Sequence, residues 1–457
     1  MTAAAGEPPL RPASAAPRAE RAFVSFDGGV RAHAQLQQPD RYRHWRDDGS
    51  ETPRISRGAG LSYAAASFLD GGLSVSHRAF DRITDFDSAV GVVEVEVGIS
   101  LFDLHRFLSA RGLYLPIQPG HGCISVGGCI AADVHGKNQA RDGTFINQVE
   151  SLTLFHPSHG LLQLSRQDNP ELFRLTCGGY GLTGHIVRAR LRASPAPTAW
   201  VAVRAAAFAD AAQGFTQLRL ATGETDFAYT WHDMASPGAG FGSGYLFRAR
   251  FVEGGAAPSP DDAPPTLSAE SRGRLPVSLL NAMSARGLNM IYRRRQKPLL
   301  DGQTVALQDA LFPTHKAQLY FLLFGAPGFR EYQAIVPEAG IDEYVEAVRG
   351  YMRERPLPIT LSSAKAFAGS PELLRFTGPG ICLALDVPAG PEADRFMTFL
   401  DERLMTLGGV PNIIKDSRLP RAAVDACYPE ADRFRAALRA FDPKRLFRSE
   451  LSERLGL

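Results

Sequence analysis

Residues 119–138 read PGHGCISVGGCIAADVHGKN, with five glycines, an adjacent Gly-Gly pair and a closing His-Gly-Lys-Asn. Glycine lets backbone N–H groups approach a ligand with no Cβ in the way, and successive exposed N–H groups form a concave trap for anions. The stretch therefore suggests a phosphate-bearing cofactor. Two familiar phosphate motifs do not fit it. A dinucleotide fingerprint needs GxGxxG between a strand and a helix, with an acid ~20 residues further on; here Gly120 and Gly122 are followed by Gly127 and Gly128 without that frame. A Walker A loop needs Gly-Lys-Ser/Thr, and Lys137 is followed by Asn138. What the sequence does present is three separated glycine loops: ISRGAGLSY (55–63), SVGGCIAADVHG (125–136) and GGYGLTG (178–184).

The surrounding periodicity supplies the elements that would carry these loops. VVEVEVGIS (92–100) alternates as a half-exposed strand, and LFDLHRFLSARG (101–112) follows with helical apolar spacing and a stop at glycine. VESLTLFHP (149–157) turns at SHG into LLQLS, a predicted hairpin. ELFRLTCGGYGLTGHIVRARLRA (171–193) reads as a short helix, the third glycine cluster and a strand, and SPAPTAW (194–200) as a Pro-rich boundary. Beyond it, DEYVEAVRGYMRERP (342–356) and EADRFMTFLDERLMTLGG (392–409) have helical spacing, while ICLALDVP (381–388) and AQLYFLLFG (317–325) read as buried strands. VEGGAAPSPDDAPPTLS (252–268) predicts a loop or lid. Two α+β domains fit this texture better than one.

Composition excludes several classes of function. The chain has 457 residues, 44% of them hydrophobic, enough for sizeable cores in two or three domains. Fifty Lys+Arg against 48 Asp+Glu leave no basic footprint for nucleic acid. Five cysteines without a CxxC argue against a disulfide framework or a zinc module, so no metal is expected and a reducing, cytoplasmic setting fits. No apolar run approaches the ~18–20 residues that cross a bilayer. MTAAAGEPPLRPASAAPRAE has no continuous apolar core and reads as a disordered arm, residues 1–19.

The three loops together, with RGAGLSY, VGGCIAADVHGKN, GGYGLTG and the tail IIKDSR (413–418), YP (428–429) and DPKRLF (442–447) in order, resemble the decaprenylphosphoryl-β-D-ribose 2′-oxidase family of vanillyl-alcohol-oxidase-type flavoproteins. The resemblance runs from about residue 50 to the C-terminus. It implies an α+β, two-domain fold: an FAD-binding domain of the PCMH type (20–195), a substrate cap with an antiparallel sheet (196–409) and a C-terminal return to the FAD domain (410–457).

By the same resemblance, FAD contacts fall in four groups. The first loop gives Ser56, Arg57, Gly58, Ala59, Gly60, Leu61, Ser62 and Tyr63. The second gives Gly120, Ser125, Val126, Gly127, Gly128, Ala132, Asp133, His135, Gly136 and Asn138. Gly184 and Ile186 follow the third loop, and Asn412 precedes the KDSR block. Relatives that attach FAD covalently use a histidine at the position of Leu61, so non-covalent FAD is implied. Ala64 and Ala65 stand where the family usually carries Gly and Asp. Lys415, Tyr63 and His135 become the catalytic candidates, Lys415 for accepting or stabilising the hydroxyl proton. Lys137, Gln333, Lys365, Phe367, Cys382 and Lys415 become the substrate contacts. Pro379 and Gly380 replace a tryptophan and an asparagine beside Cys382, which alters the pocket.

The reaction implied is oxidation of a sugar secondary alcohol by hydride transfer to FAD, with the 2′-hydroxyl of a polyprenylphosphoryl-β-D-ribose as the family substrate on the way to the arabinose epimer. A quinone or other electron acceptor and an NAD-dependent reductase partner come with it. RLPVSLLNAMSARGLNMIYRRRQKP (274–298) mixes Leu, Met and Ile with Arg and Lys, as a peripheral membrane contact would. An oxidase of a soluble sugar or polyol, or a flavin-binding protein without catalysis, are the alternatives.

Overall fold

The computed structural model describes residues 17–42, 44, 51–254, 275–313 and 318–457. Three main sheets organise them. The first is four-stranded in the order β1-β2-β4-β3, from β1 (Arg18–Val24), β2 (Arg31–Gln37), β3 (Arg54–Arg57) and β4 (Leu73–Ser76). β1 and β2 are antiparallel, whereas β4 runs parallel to both β2 and β3. Arg18 and Ala19 thus lie in a strand and not in the expected arm, because β1 finds a complete antiparallel partner in β2. Residues 1–16 lie outside the described residues.

The second sheet, β5-β6-β10-β8-β9, is antiparallel throughout. It comprises β5 (Ile83–Asp87), β6 (Val92–Glu96), β8 (Val149–His156), β9 (Gly160–Ser165) and β10 (His185–Arg192), with β7 (Leu113–Tyr114) paired separately to β11 (Ser194–Pro195). The helices Leu101–Ser109 and Val126–Ala131 fill its inner side, where Val93, Val95, Leu104, Val126, Ile130 and Leu154 share one core. Each helix starts at a serine that accepts from the N–H three residues on, Ser100 from Asp103 and Ser125 from Gly128. β6 is more buried than its alternation suggests. Glu96 is fully enclosed because Arg82 meets it at 2.7 Å and the Tyr42 hydroxyl donates to it.

The third sheet has eight antiparallel strands in the order β15-β12-β14-β13-β17-β18-β16-β19. They are β12 (Trp200–Phe208), β13 (Phe227–Asp233), β14 (Ser243–Phe251), β15 (Gln303–Ala306), β16 (Phe329–Val336), β17 (Leu361–Phe367), β18 (Gly380–Pro388) and β19 (Val410–Pro411). Side chains alternate between faces along a strand. Ala228, Tyr332, Ala334, Ala364, Leu383 and Leu385 point one way and pack with the helices Ala211–Thr222, Ile341–Glu354 and Pro391–Leu407. The opposite face carries Tyr229, Trp231, Glu331, Gln333, Lys365, Phe367, Cys382 and Asp386. β19 shows that this sheet extends one strand beyond the expected cap boundary at 409.

The strand expected at 317–325 is not found among the described residues, where Gln318–Leu322 is a short helix. A brief apolar run cannot by itself distinguish a buried strand from a buried helix. Here the helical turn lets Phe321 and Phe324 pack on Phe26 and Phe329 while Tyr320 reaches Thr360 and Asp386. Of the expected loop 252–268, only Val252–Gly254 fall within the described residues. The C-terminal helices Arg421–Cys427, Ala431–Phe441 and Glu450–Leu455 bury Val424, Phe434, Leu451 and Leu455 in one cluster with Ile55, Ala64, Tyr180 and Leu182 from the glycine loops.

Gly127 and Gly128 do not occupy a left-handed conformation; both lie in the first turn of the helix Val126–Ala131. A Cβ on Gly127 would come 3.0–3.2 Å from Val97, tighter than an ordinary contact, so a side chain there would press the helix and Val97 apart. Gly127→Val should cost ~1–3 kcal/mol by overpacking. Thermal melting should show the loss in both the FAD-free and the FAD-loaded protein; a loss confined to the loaded form would mean that the residue serves the cofactor directly.

Candidate active site

The three glycine loops converge on the helix Val126–Ala131. Gly58 packs directly on Ser125, since a Cβ there would lie 2.0 Å from the Ser125 Oγ, and Gly60 adopts a φ of +74° that disfavours a side chain. The third loop docks on the helix end through Gly178 N–H to Ile130 O (3.0 Å) and Tyr180 N–H to Ala131 O (2.8 Å). Ser56 Oγ lies 2.7 Å from His185 Nδ1, next to Gly184. Beside the cradle, Gln118 Oε1 and Asn138 Oδ1 are buried acceptors without a hydrogen-bond partner among the described residues. FAD fits this arrangement, because its isoalloxazine and ribityl groups carry N–H and O–H donors and its pyrophosphate suits glycine-rich backbone.

The expected contacts divide by what their side chains already do. Val126 and Ile186 are core residues, so any service to FAD is through their backbone. Asp133 is spent internally, accepting from Thr144 Oγ1 (2.7 Å) and Ile146 N–H (2.8 Å), with the Arg375 guanidinium 3.5 Å away. Arg57 donates to Ser67 and covers the Phe23 ring. Leu61 and Tyr63 pack among Phe26, Phe321 and Phe329.

The polar face of the eight-stranded sheet meets this cradle. β19 pairs with β16, which brings Asn412 to Gln333: Asn412 N–H donates to Gln333 O (2.7 Å) and its side-chain amide to Gln333 Oε1. Gln333 Oε1 lies 3.5 Å from His135 Nε2. His135 itself packs edge-on to Phe367, with ring centroids 4.8 Å apart, and its Nδ1 lies 3.1 Å from Gly136 O. Burial, with Lys365 nearby, pushes its pKa down to about 3, so His135 is a neutral imidazole.

Lys415 projects between Tyr63 and β16. Its ammonium is 4.0 Å from the Tyr63 ring centroid and 3.2 Å from Glu331 Oε1. Burial alone would lower its pKa, but Glu331 and Tyr63 outweigh burial and hold it above the ordinary lysine value. The neighbouring Asp416 is not its partner; Asp416 pairs with Arg418 at 2.7 Å, and Arg418 in turn with Asp401. Lys137 donates to the carbonyls of Ala310 (2.6 Å) and Leu311 (3.0 Å), and burial followed by repulsion from Lys365 pushes its pKa down to about 7. Lys365 faces Cys382 across the β17–β18 ladder, and burial drives the Cys382 thiol up to about 12.

Glu331 and Asp386 escape sequence reasoning. They belong to the site because Glu331 is two residues from Gln333, and Asp386 four from Cys382, on the same sheet face. That even spacing was the available signal.

Comparison with known proteins defines the class. Residues 49–165 match the family described as FAD binding domain. A decaprenylphosphoryl-β-D-ribose oxidase of Mycolicibacterium smegmatis is 28% identical over 414 residues, covering 88% of this chain and 89% of that protein. An uncharacterised protein of Streptomyces coelicolor is 28% identical over 79% of the chain and all of its own length. A D-arabinono-1,4-lactone oxidase of Eremothecium gossypii is 38% identical over only 104 residues, 23% of the chain and 19% of that protein. The chain carries an FAD-binding domain and is an FAD-dependent oxidoreductase with an α+β architecture. Within that class, it resembles the decaprenylphosphoryl-β-D-ribose oxidase along nearly its whole length.

Lys415→Met would leave the Glu331 carboxylate buried without its cation. Stability at neutral pH should fall by ~3–5 kcal/mol. Lys415→Met/Glu331→Gln, which removes the uncompensated charge, should be more stable than the single variant. Urea unfolding of the three proteins checks both expectations.

Proposed function

We propose that this protein oxidises a secondary hydroxyl of a polyprenyl-phosphate-linked sugar to the ketone, passing the hydride to non-covalently held FAD. The observation that carries the reading is a set of three lysines, Lys137, Lys365 and Lys415, gathered with Gln333 where the eight-stranded sheet meets the glycine loops. Only Lys415 has a carboxylate partner there among the described residues, and the field of Lys365 lowers Lys137. Two adjacent cations of this kind call for an anion, and a lysine meets phosphate as a point charge. Similarity to a decaprenylphosphoryl-ribose oxidase across both halves of the chain supports a phosphorylated lipid sugar. The lactone oxidase relative, by contrast, matches less than a quarter of the chain.

FAD supplies the hydride acceptor when bound. Lys415 and Gln333 orient the hydroxyl, Lys365 and Lys137 take the phosphate, and Phe367 with the neutral His135 forms an apolar wall. We further infer that residues 410–457 complete the FAD-binding unit, since their helices share a core with the glycine loops. Leu61 offers no nucleophile to a flavin methyl group, which supports non-covalent attachment.

The helix Ala282–Gln296 supports access from a membrane surface. Met283, Met290 and Ile291 are 80%, 56% and 53% exposed, and Arg286, Arg294 and Arg295 are exposed beside them. Val277 and Leu279, just before this helix in the chain, are exposed as well. No helix among the described residues is long and apolar enough to cross a membrane, so contact would be interfacial, with basic side chains on anionic headgroups. Vesicles containing phosphatidylglycerol should sediment the protein. Met283→Glu/Ile291→Glu should abolish this without altering flavin content, and high salt should weaken it.

Anaerobic stopped-flow bleaching of the oxidised flavin by a polyprenyl-phosphoribose tests the chemistry. Lys415→Ala should lower the limiting rate by ~10²-fold or more, the scale of a positioned acid–base group. Lys365→Ala should instead raise the apparent dissociation constant ~10–100-fold, as loss of a charged hydrogen bond does. Because Lys137 is charged only below about 7, substrate affinity should fall as pH rises through that value, and Lys137→Met should flatten the profile. An unchanged limiting rate in the Lys415 variant would remove that residue from the mechanism.

A further inference from the structure

Glu331 and Asp386 stand directly opposite each other on β16 and β18. Cross-strand partners have Cβ atoms ~4.5–5.5 Å apart, so two carboxyl groups share one buried spot, 8% and 2% exposed. Two such groups cannot both ionise cheaply. Their surroundings are unequal. Glu331 receives the Lys415 ammonium on both oxygens, at 3.2 and 3.3 Å. Asp386 Oδ2 receives the Tyr320 hydroxyl at 2.9 Å, and its Oδ1 has no partner among the described residues. Burial and the neighbouring Glu331 push the Asp386 pKa well above the carboxylate range. Asp386 is therefore the protonated member and Glu331 the carboxylate paired with Lys415. The other titratable groups facing the pair are Tyr63 from the loop after β3, Tyr320 from the helix Gln318–Leu322, and Lys365 and Cys382 from β17 and β18.

Lys415 is already an ammonium, and an ammonium cannot accept a hydroxyl proton. We propose that Glu331 receives the proton released by the oxidation, acting through Lys415, while Asp386 keeps the pair at a single negative charge. This rests on the alcohol oxidation proposed above. The carbinol C–H bond breaks and its electron pair leaves with the hydrogen to the flavin, while the O–H bond breaks and the C=O π bond forms. The hydroxyl proton passes to Lys415 Nζ as one Nζ proton passes to a Glu331 oxygen. The alcohol loses two electrons and the flavin gains two. Lys415 ends as the ammonium it began as, and Glu331 ends as a neutral acid. The negative charge that disappears at Glu331 is the one that arrives with the hydride, so the buried site keeps its net charge.

The test needs no sugar. FAD-loaded protein is titrated reductively against a reference redox dye at a series of mildly alkaline pH values, and the protons taken up per flavin are read from the pH slope of the midpoint potential. The wild type should take up two protons per two electrons, and Glu331→Gln one. Infrared difference spectra should show a new protonated-carboxyl C=O band on reduction, absent in Glu331→Gln and retained in Asp386→Asn, which covers the case of a Glu331 variant that does not load FAD. One proton per flavin in the wild type, or no carboxyl band on reduction, would overturn the proposal. A two-proton result in a protein that no polyprenyl-phosphosugar reduces would support Glu331 while overturning the substrate reading, so the two failures are separable.

Discussion

Val410 and Pro411 hydrogen-bond along the edge of the eight-stranded sheet beside Ile335 and Ala334, and the position of Lys415 depends on that attachment. The pairing is only two residues long, but it is reinforced at once by both Asn412 bonds to Gln333. From there the chain turns, and Ile413, Leu419 and Val424 sink into a core shared with Ile55 and Leu182. One short segment is thereby held by the sheet on one side and by the glycine loops on the other. Lys415 lies in that span and touches both sides, Glu331 on β16 and Tyr63 from the first loop. The register of one strand pair thus sets the geometry between the glycine loops and the polar face of the eight-stranded sheet, which lie hundreds of residues apart in sequence.

Charge is concentrated at this junction against the usual cost of burial. Desolvation penalises every ionised group here, and the chain answers in different ways. His135 gives up its charge, Asp386 keeps its proton, and Lys415 retains its cation because Glu331 balances it. Lys137 spreads its charge over two carbonyls at the end of the helix Leu307–Leu311, where the helix dipole favours a cation. The electrostatic state of the site is held by neighbours more than by the intrinsic pKa of any residue.

Much of this was legible in the sequence, for physical reasons that differ by element. The alternation in 149–157 and the turn at SHG specify the β8–β9 hairpin, and the helices at 341–354 and 391–407 follow from apolar spacing. The glycine loops announced a cradle because glycine is costly without a reason, yet the reason at Gly127 is the approach of a helix to Val97. What could not be read is pairing across distance. Glu331 and Asp386 are unremarkable acids until β16 and β18 lie side by side, and the burial of Glu96 depends on Arg82 and Tyr42 arriving from elsewhere. The helix at 318–322 was missed because its apolar run is equally compatible with a strand.

Gly380 opens β18 with a φ of +145°, and a Cβ there would lie 2.3 Å from the Val336 carbonyl oxygen. The resemblance leads one to expect asparagine at this position, but here the backbone has closed over the space that such a side chain would occupy. The position is closed to any side chain: with β16 and β18 this near each other at Gly380, a single substitution would strain the ladder that carries Glu331, Gln333, Cys382 and Asp386. The shape of the pocket at this point is consequently set by the backbone of two interior strands, and not by the side chain at the neighbouring, exposed Pro379.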